Sequence, residues 1–273
     1  MEDCSMKRIV ILIMASVVMM GEALAFHPFA HQSIAALADK YLTDNAKKEV
    51  NAILKSDMVK ASTWLNTLRK KTEMAHTKDW HFTTLDANGK STTTADNDGI
   101  VELEKAIAVL RDRANQSDSL VQASLCTVIH LVGDLHCISH IRIEGNEPTK
   151  GFTYKTWNEL TAEGTGFYSS KTYNSGWYQL WENRFAGRYT IFTPQYYGDD
   201  IDIFANEKKA EYEKGTPRFW VENVGEDVVR ALEIFQPGKE VPAQMNERQE
   251  PVHNRCMAKA GYRLAALLND IFK

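Results

Sequence analysis

Apolar residues recur three and four positions apart in six stretches, 31–42, 44–56, 99–114, 119–136, 219–235 and 254–272, the spacing that lines one face of a helix. In the first of these, Ile34, Ala35, Leu37 and Ala38 fall on one face. Asp44, Asp98 and Ser117 to Ser119 stand where helix N-caps are expected, because their side-chain oxygens can accept from unpaired amides of the first turn. Between residues 141 and 176 the period shortens to β-like runs rich in Gly, Thr and aromatics, such as 151-GFTYKTW-157. No tandem repeat or Pro/Gly-rich linker interrupts the pattern. It predicts a mainly α protein in one domain, with helices around a short irregular or β-hairpin insert.

The start of the chain reads differently. Lys7 and Arg8 precede an apolar run from Ile9 to Met20, too short to span a bilayer, and Ala23-Leu24-Ala25 then offers a small-x-small cleavage signal. The expectation is a signal peptide over 1–25, a mature domain over 26–273 beginning at Phe26, and a secreted or periplasmic location.

Composition narrows the function classes. The chain carries 32 basic and 36 acidic residues, a formal net charge of −4, which argues against broad binding to duplex DNA. Of the four cysteines, Cys4 precedes the expected cleavage site. Cys126 and Cys137 lie on one predicted helix, about 16 Å apart and too far to bridge, so no disulfide framework is expected with Cys256.

The chemistry concentrates in 126-CTVIHLVGDLHCISHI-141. His130 and Asp134 are four apart, so a helix stacks imidazole and carboxylate on one face, and a carboxylate has two oxygens with which to bridge two ions. His140, about one and a half turns further on, is expected to reach a different point. His31 begins the first helical stretch, and cleavage before Phe26 would add a free α-amine, itself a metal ligand when neutral. His81 lies between Trp80 and Phe82 in an aromatic, buried setting, where core histidine and ligand are equally supported. His76 and His253 read as solvated.

These elements together resemble the S1/P1 nuclease family, secreted zinc-dependent nucleases that share a fold with zinc-dependent phospholipase C. The family's amino-terminal W-G-x-x-G-H corresponds to Phe26 through His31 with the same spacing. Its W-A-D-x-x-R corresponds to Trp64-Leu65-Asn66 with Arg69, and its W-H-[FY] to Trp80-His81-Phe82. The H-x-x-G-D-x-x-x-x-x-H core is matched by His130, Gly133, Asp134 and His140, and 260-AGYRLAALLN-269 is similar to the last helix. The resemblance implies up to three zinc ions. Phe26, His31 and Asp134 would hold one, Asn66, His81, His130 and Asp134 a second, and His140 a third. Two positions depart from the family. Asn66 replaces a carboxylate that would act in catalysis beside Asp134, and a neutral amide is the weaker zinc ligand. The family's H-x-x-W-D has no intact copy; it falls either on Tyr178 to Glu182 or on Tyr154 to Asn158. The first is preferred, because 176-GWYQLWENRF-185 can be helical and Glu182 can bind zinc, whereas 151–157 reads better as a hairpin strand. Tyr178 then stands in the place of the histidine, at the substrate-binding side.

The function implied is a secreted zinc-dependent endonuclease or phosphodiesterase of reduced activity, hydrolysing single-stranded DNA, RNA or nucleotides to 5′-phosphate products. Two alternatives stay open: a catalytically weakened relative that binds metal or nucleotides, and a zinc phospholipase C-like esterase. Neither a membrane span nor a protein partner is expected.

Overall fold

A computed structural model describes residues 27–146, 152–157, 170–175, 177, 179–184, 190–236 and 239–273. Helix α1 (Pro28–Lys40) opens with proline, whose missing N–H is one the first turn leaves unpaired in any case, and His27 Nδ1 accepts from the Phe29 amide at 3.2 Å. Helix α2 (Asp44–Leu54) is capped by Thr43, whose Oγ1 accepts from Ala46 N–H. Asp44, expected as the cap, is instead the first helical residue, where its charge faces the positive end of the helix dipole. Two short helices follow, α3 (Met58–Ala61) and α4 (Trp64–Leu68), then a 3-10 stretch over Thr72–His81 and strand β1 (Thr83–Leu85). Asp98 caps α5 (Gly99–Arg111) and Ser117 caps α6 (Asp118–Asp134), both as the sequence predicts.

Beyond α6 lie β2 (Ile141–Ile143), β3 (Phe152–Trp157), β4 (Ser170–Ser175) and a π-helical turn over Gln179–Arg184. The chain then forms α7 (Pro194–Ala205), α8 (Lys209–Tyr212), α9 (Pro217–Ile234), β5 (Glu240–Val241), α10 (Ala243–Glu247) and α11 (Glu250–Ile271). The fold is mainly α, as the periodicity predicts. Residues 152–157 form a hairpin strand, paired antiparallel with β4 from Phe152↔Ser175 to Trp157↔Ser170. Strand β5 extends this sheet in parallel on β3. Helix α7 escapes the hydrophobic pattern because both faces are mixed: Tyr197, Ile201 and Ala205 are buried together with Asp202, while Tyr196, Ile203 and Phe204 are exposed.

The core gathers around α1, α6 and α11. Leu125, Val128, Ile129, Leu131 and Val132 of α6 are all buried, so that helix is enclosed on every side from Ser124 to Asp134. Helix α1 packs against α6, α7 and α11. The approach to α11 depends on Gly261, where an added Cβ would sit 2.6 Å from a Leu37 methyl. Among the described residues no helix is long and apolar enough to cross a membrane.

Candidate metal centre

Six polar side chains from five elements of the chain meet on the enclosed end of α6. His31 comes from the first turn of α1, His81 from the end of the 3-10 stretch, and His130 and Asp134 from α6. His140 ends the turn after α6, and Glu182 lies in the π-helical turn. None is more than 1% exposed. The i,i+4 spacing puts His130 Nε2 at 3.0 Å from Asp134 Oδ2, as the sequence predicts. His81 and His140 are brought side by side by the parallel pairing of the strands that directly follow them, Thr83↔Ile141 to Leu85↔Ile143. His140 turns its Nε2 to Glu182 Oε1 at 3.1 Å, apart from the His130–Asp134 pair. Because α6 ends at Asp134 and the chain turns back, its Nδ1 also lies 3.4 Å from Asp134 Oδ1.

Asp134 is the hub. His81 Nδ1 is 2.6 Å from its Oδ2 and His31 Nε2 is 3.2 Å from its Oδ1. The His31 and His130 rings stack with centroids 4.0 Å apart. Ligand atoms of His31, His130 and Asp134 all lie within 4.8 Å of one another, close enough to share one ion.

The protons explain why these groups need a cation. His130 Nδ1 sits 2.6 Å from the Ser62 carbonyl, and His140 Nδ1 is 2.7 Å from the His81 carbonyl. A carbonyl only accepts, so both rings donate there through Nδ1 and present Nε2 inward. His130 Nε2 meets Asp134 Oδ2, and His140 Nε2 meets Glu182 Oε1. His81 Nδ1 stands 3.2 Å from His130 Nε2, so its one N–H is shared between that nitrogen and the carboxylate. His81 Nε2, Asp134 Oδ1 and Glu182 Oε2 are buried with no aligned hydrogen bond. Burial lowers His31 to about 3, with the charge of His130 adding to it, and lowers His81 to about 4. Both are neutral at pH 7. Burial pushes the Asp134 carboxyl upward, but His130, His140, His81 and His31 outweigh it and hold the group well below its usual range. Burial raises Glu182, and His140, although burial lowers it, ends above its ordinary value through Asp134 and Glu182. A buried carboxylate ringed by imidazoles whose far nitrogens donate to carbonyls is the donor set a zinc ion takes.

Gly133 acquires a reason here. A Cβ at this position would lie 2.7 Å from His31 Nδ1, so only glycine lets α1 bring His31 against α6. Asn66 is buried on α4, which packs against α6 and the 3-10 stretch, and neither of its amide atoms makes a hydrogen bond. Phe26 and Tyr178 lie outside the described residues, as does the expected leader. His76 is exposed, as expected, whereas His253 is buried and lowered by that burial to about 3, which corrects its reading as solvated. It falls on the inward face of the first turns of α11, and the polar residues flanking it hide that side. Cys126, Cys137 and Cys256 are free and buried.

Sequence reasoning missed the carbonyls of Ser62 and His81, because a backbone acceptor leaves no residue-type signal. It also passed over Ser139, whose Oγ lies 3.4 Å from Glu182 Oε1, and His136, buried beyond the site.

Comparison with known proteins supports the same relation. The S1/P1 Nuclease family model matches residues 27–147, the segment that carries His31, Asn66, His81, His130, Asp134 and His140. The chain is also 23% identical over 270 residues to Nuclease S1 of Aspergillus oryzae, covering 88% of this chain and 90% of that one. The resemblance carried by the motifs is therefore found again over the amino-terminal half, and more distantly over most of the chain.

Proposed function

We propose that this relative of the S1/P1 nucleases is an exported zinc-dependent endonuclease, cutting single-stranded DNA or RNA and leaving 5′-phosphate ends. The observation that supports it is the inward pair of ring nitrogens, His130 Nε2 on Asp134 and His140 Nε2 on Glu182, each oriented by a carbonyl behind the ring. His31 and Asp134, with the Phe26 amine after removal of residues 1–25, would hold one ion. Asn66, His81, His130 and Asp134 would hold a second, and His140 with Glu182 a third. Zinc so held supplies an activated water and charge stabilisation at phosphorus. The chain's own part is to keep that site dry and oriented. Asp134 stays anionic beside neutral His31 and His81, and the Ser62 and His81 carbonyls fix the orientation of the His130 and His140 rings. Asn66 offers no charge where the family has a carboxylate, so the reading is of an enzyme with reduced activity.

Signal-processed protein loaded with zinc should cleave a single-stranded oligonucleotide to products with 5′-phosphate ends, and Asn66→Asp should raise both zinc retention and rate, by about tenfold or more. Zinc binding with no cleavage in either form would favour a metal- or nucleotide-binding protein. Turnover of short-chain phosphatidylcholine in place of oligonucleotide would favour the esterase.

A further inference from the structure

The segment joining Asn66 to His81 carries 69-RKKTEMAHTKD-79, four strong cations against two acids. Arg69, Lys70, Lys71 and Lys78 line one cleft of 830 Å³ with Thr72, Asp79 and Phe82. Its inner wall touches the candidate metal centre, because the Phe82 ring stacks on His140 with centroids 4.9 Å apart. Arg142 adds a further cation, its guanidinium 4.5 Å from the Phe82 centroid. Elsewhere on the surface Lys40, Lys47, Lys60, Lys90, Lys105 and Lys209 each pair with an acid. Among the described residues the four cations of the cleft have no ion pair, and Arg69 is only 8% exposed. With Asp79 as the one carboxylate lining the cleft, the four cations leave it net positive; their mutual repulsion is unfavourable, and a polyanion relieves it. The whole-chain charge of −4 conceals this concentration.

We infer that this cleft binds the backbone phosphates of a single-stranded polynucleotide that flank the phosphate at the metal centre. The inference rests on the nuclease reading for the identity of the polyanion. The spacing supports a chain over a mononucleotide, since Lys70, Lys71 and Lys78 are exposed along the run while the centre is enclosed. Arg69, nearly buried, lines the same cleft, and its charge acts on His81. The cleft thereby favours long substrates over dinucleotides or 3′-mononucleotides. Its contribution falls with salt, because each phosphate contact releases a counter-ion.

The test is binding of fluorescein-labelled dT12 by anisotropy across a salt series, for the full processed chain and for the triple variant Lys70→Gln, Lys71→Gln, Lys78→Gln. These side chains are exposed, and an unchanged melting temperature checks folding. The variant should bind dT12 at least about tenfold more weakly at low salt, and the slope of log affinity against log salt should shrink by about 2 for three lost single-strand contacts. Hydrolysis of a 3′-mononucleotide should be unchanged. Failure of the wild-type chain to bind dT12, or an unchanged affinity and slope in the variant, would overturn the inference. So would lysine-dependent binding to phosphatidylserine vesicles with none to dT12. Lysine-dependent dT12 binding without cleavage would leave the cleft standing and remove the nuclease reading; cleavage indifferent to the lysines would do the reverse.

Discussion

His130 and His136 lie six residues apart, both fully buried, and each donates Nδ1–H to a carbonyl at 2.6 Å, from Ser62 and Val132 respectively. They differ at the second nitrogen. His136 Nε2 accepts from the buried guanidinium of Arg263 at 2.8 Å, and Arg263 is further tied to the Tyr212 carbonyl and Asn223. Both nitrogens of His136 are thus satisfied within the protein, and burial with the nearby Arg263 charge keeps the ring neutral. His130 Nε2 faces a carboxylate and another imidazole. Burial and tautomer are shared, so what separates a structural histidine from a candidate ligand is what meets the inner nitrogen.

Exchange of the two histidines gives the sharpest contrast. His136→Ala removes one of the three acceptors of the buried Arg263 guanidinium and should destabilise the zinc-free protein by about 2–3 kcal/mol, yet the extra stability conferred by zinc should persist. His130→Ala should abolish that extra stability. Thermal melts with and without chelator measure both, and a zinc effect lost in His136→Ala but kept in His130→Ala would invert the assignment. A smaller effect is expected at Gly133→Ala, whose new methyl meets His31. A destabilisation of about 1–3 kcal/mol, accompanied by weaker zinc binding, should follow; a loss of stability with zinc affinity intact would detach His31 from the metal.

The smallest effect concerns His253, a third buried histidine, lowered by burial from its ordinary 6.5 to about 3. Its folded-state value lies below the unfolded one, so the stability it confers is present above pH 6.5 and is lost as pH falls from there toward 3. At pH 5.5 the loss should be about 1 kcal/mol relative to pH 7.5, and His253→Gln should remove it. Denaturant titrations of zinc-free protein at the two pH values that show the same loss of stability in variant and wild type would contradict this.

The parts legible in sequence are those where side-chain type and spacing carry the physics. Six helices follow from apolar periodicity, and the His130–Asp134 pair from the four-residue repeat. Long-range association is what spacing cannot express. Nothing local says that β1 pairs with β2 and so draws His81 beside His140, nor that Arg263, far along the chain, occupies His136. His253 and helix α7 mislead for the same reason, since each departs from the ordinary assignment of polar residues to the surface. The cleft cations were present in the sequence but averaged away in the total charge. Glu182 was reached through resemblance and stands against His140, whereas the seats of Phe26 and Tyr178 rest on sequence alone.

The account depends most on Asp134 as the single anion joining the histidines. Zinc content of signal-processed wild type and Asp134→Asn, determined after dialysis against zinc and paired with single-strand cleavage rates, tests this directly. Wild type should retain at least a pair of ions, and Asp134→Asn should lose that pair together, with cleavage falling by at least about 100-fold. Wild type with no bound zinc, or Asp134→Asn with its zinc and cleavage intact, would contradict it.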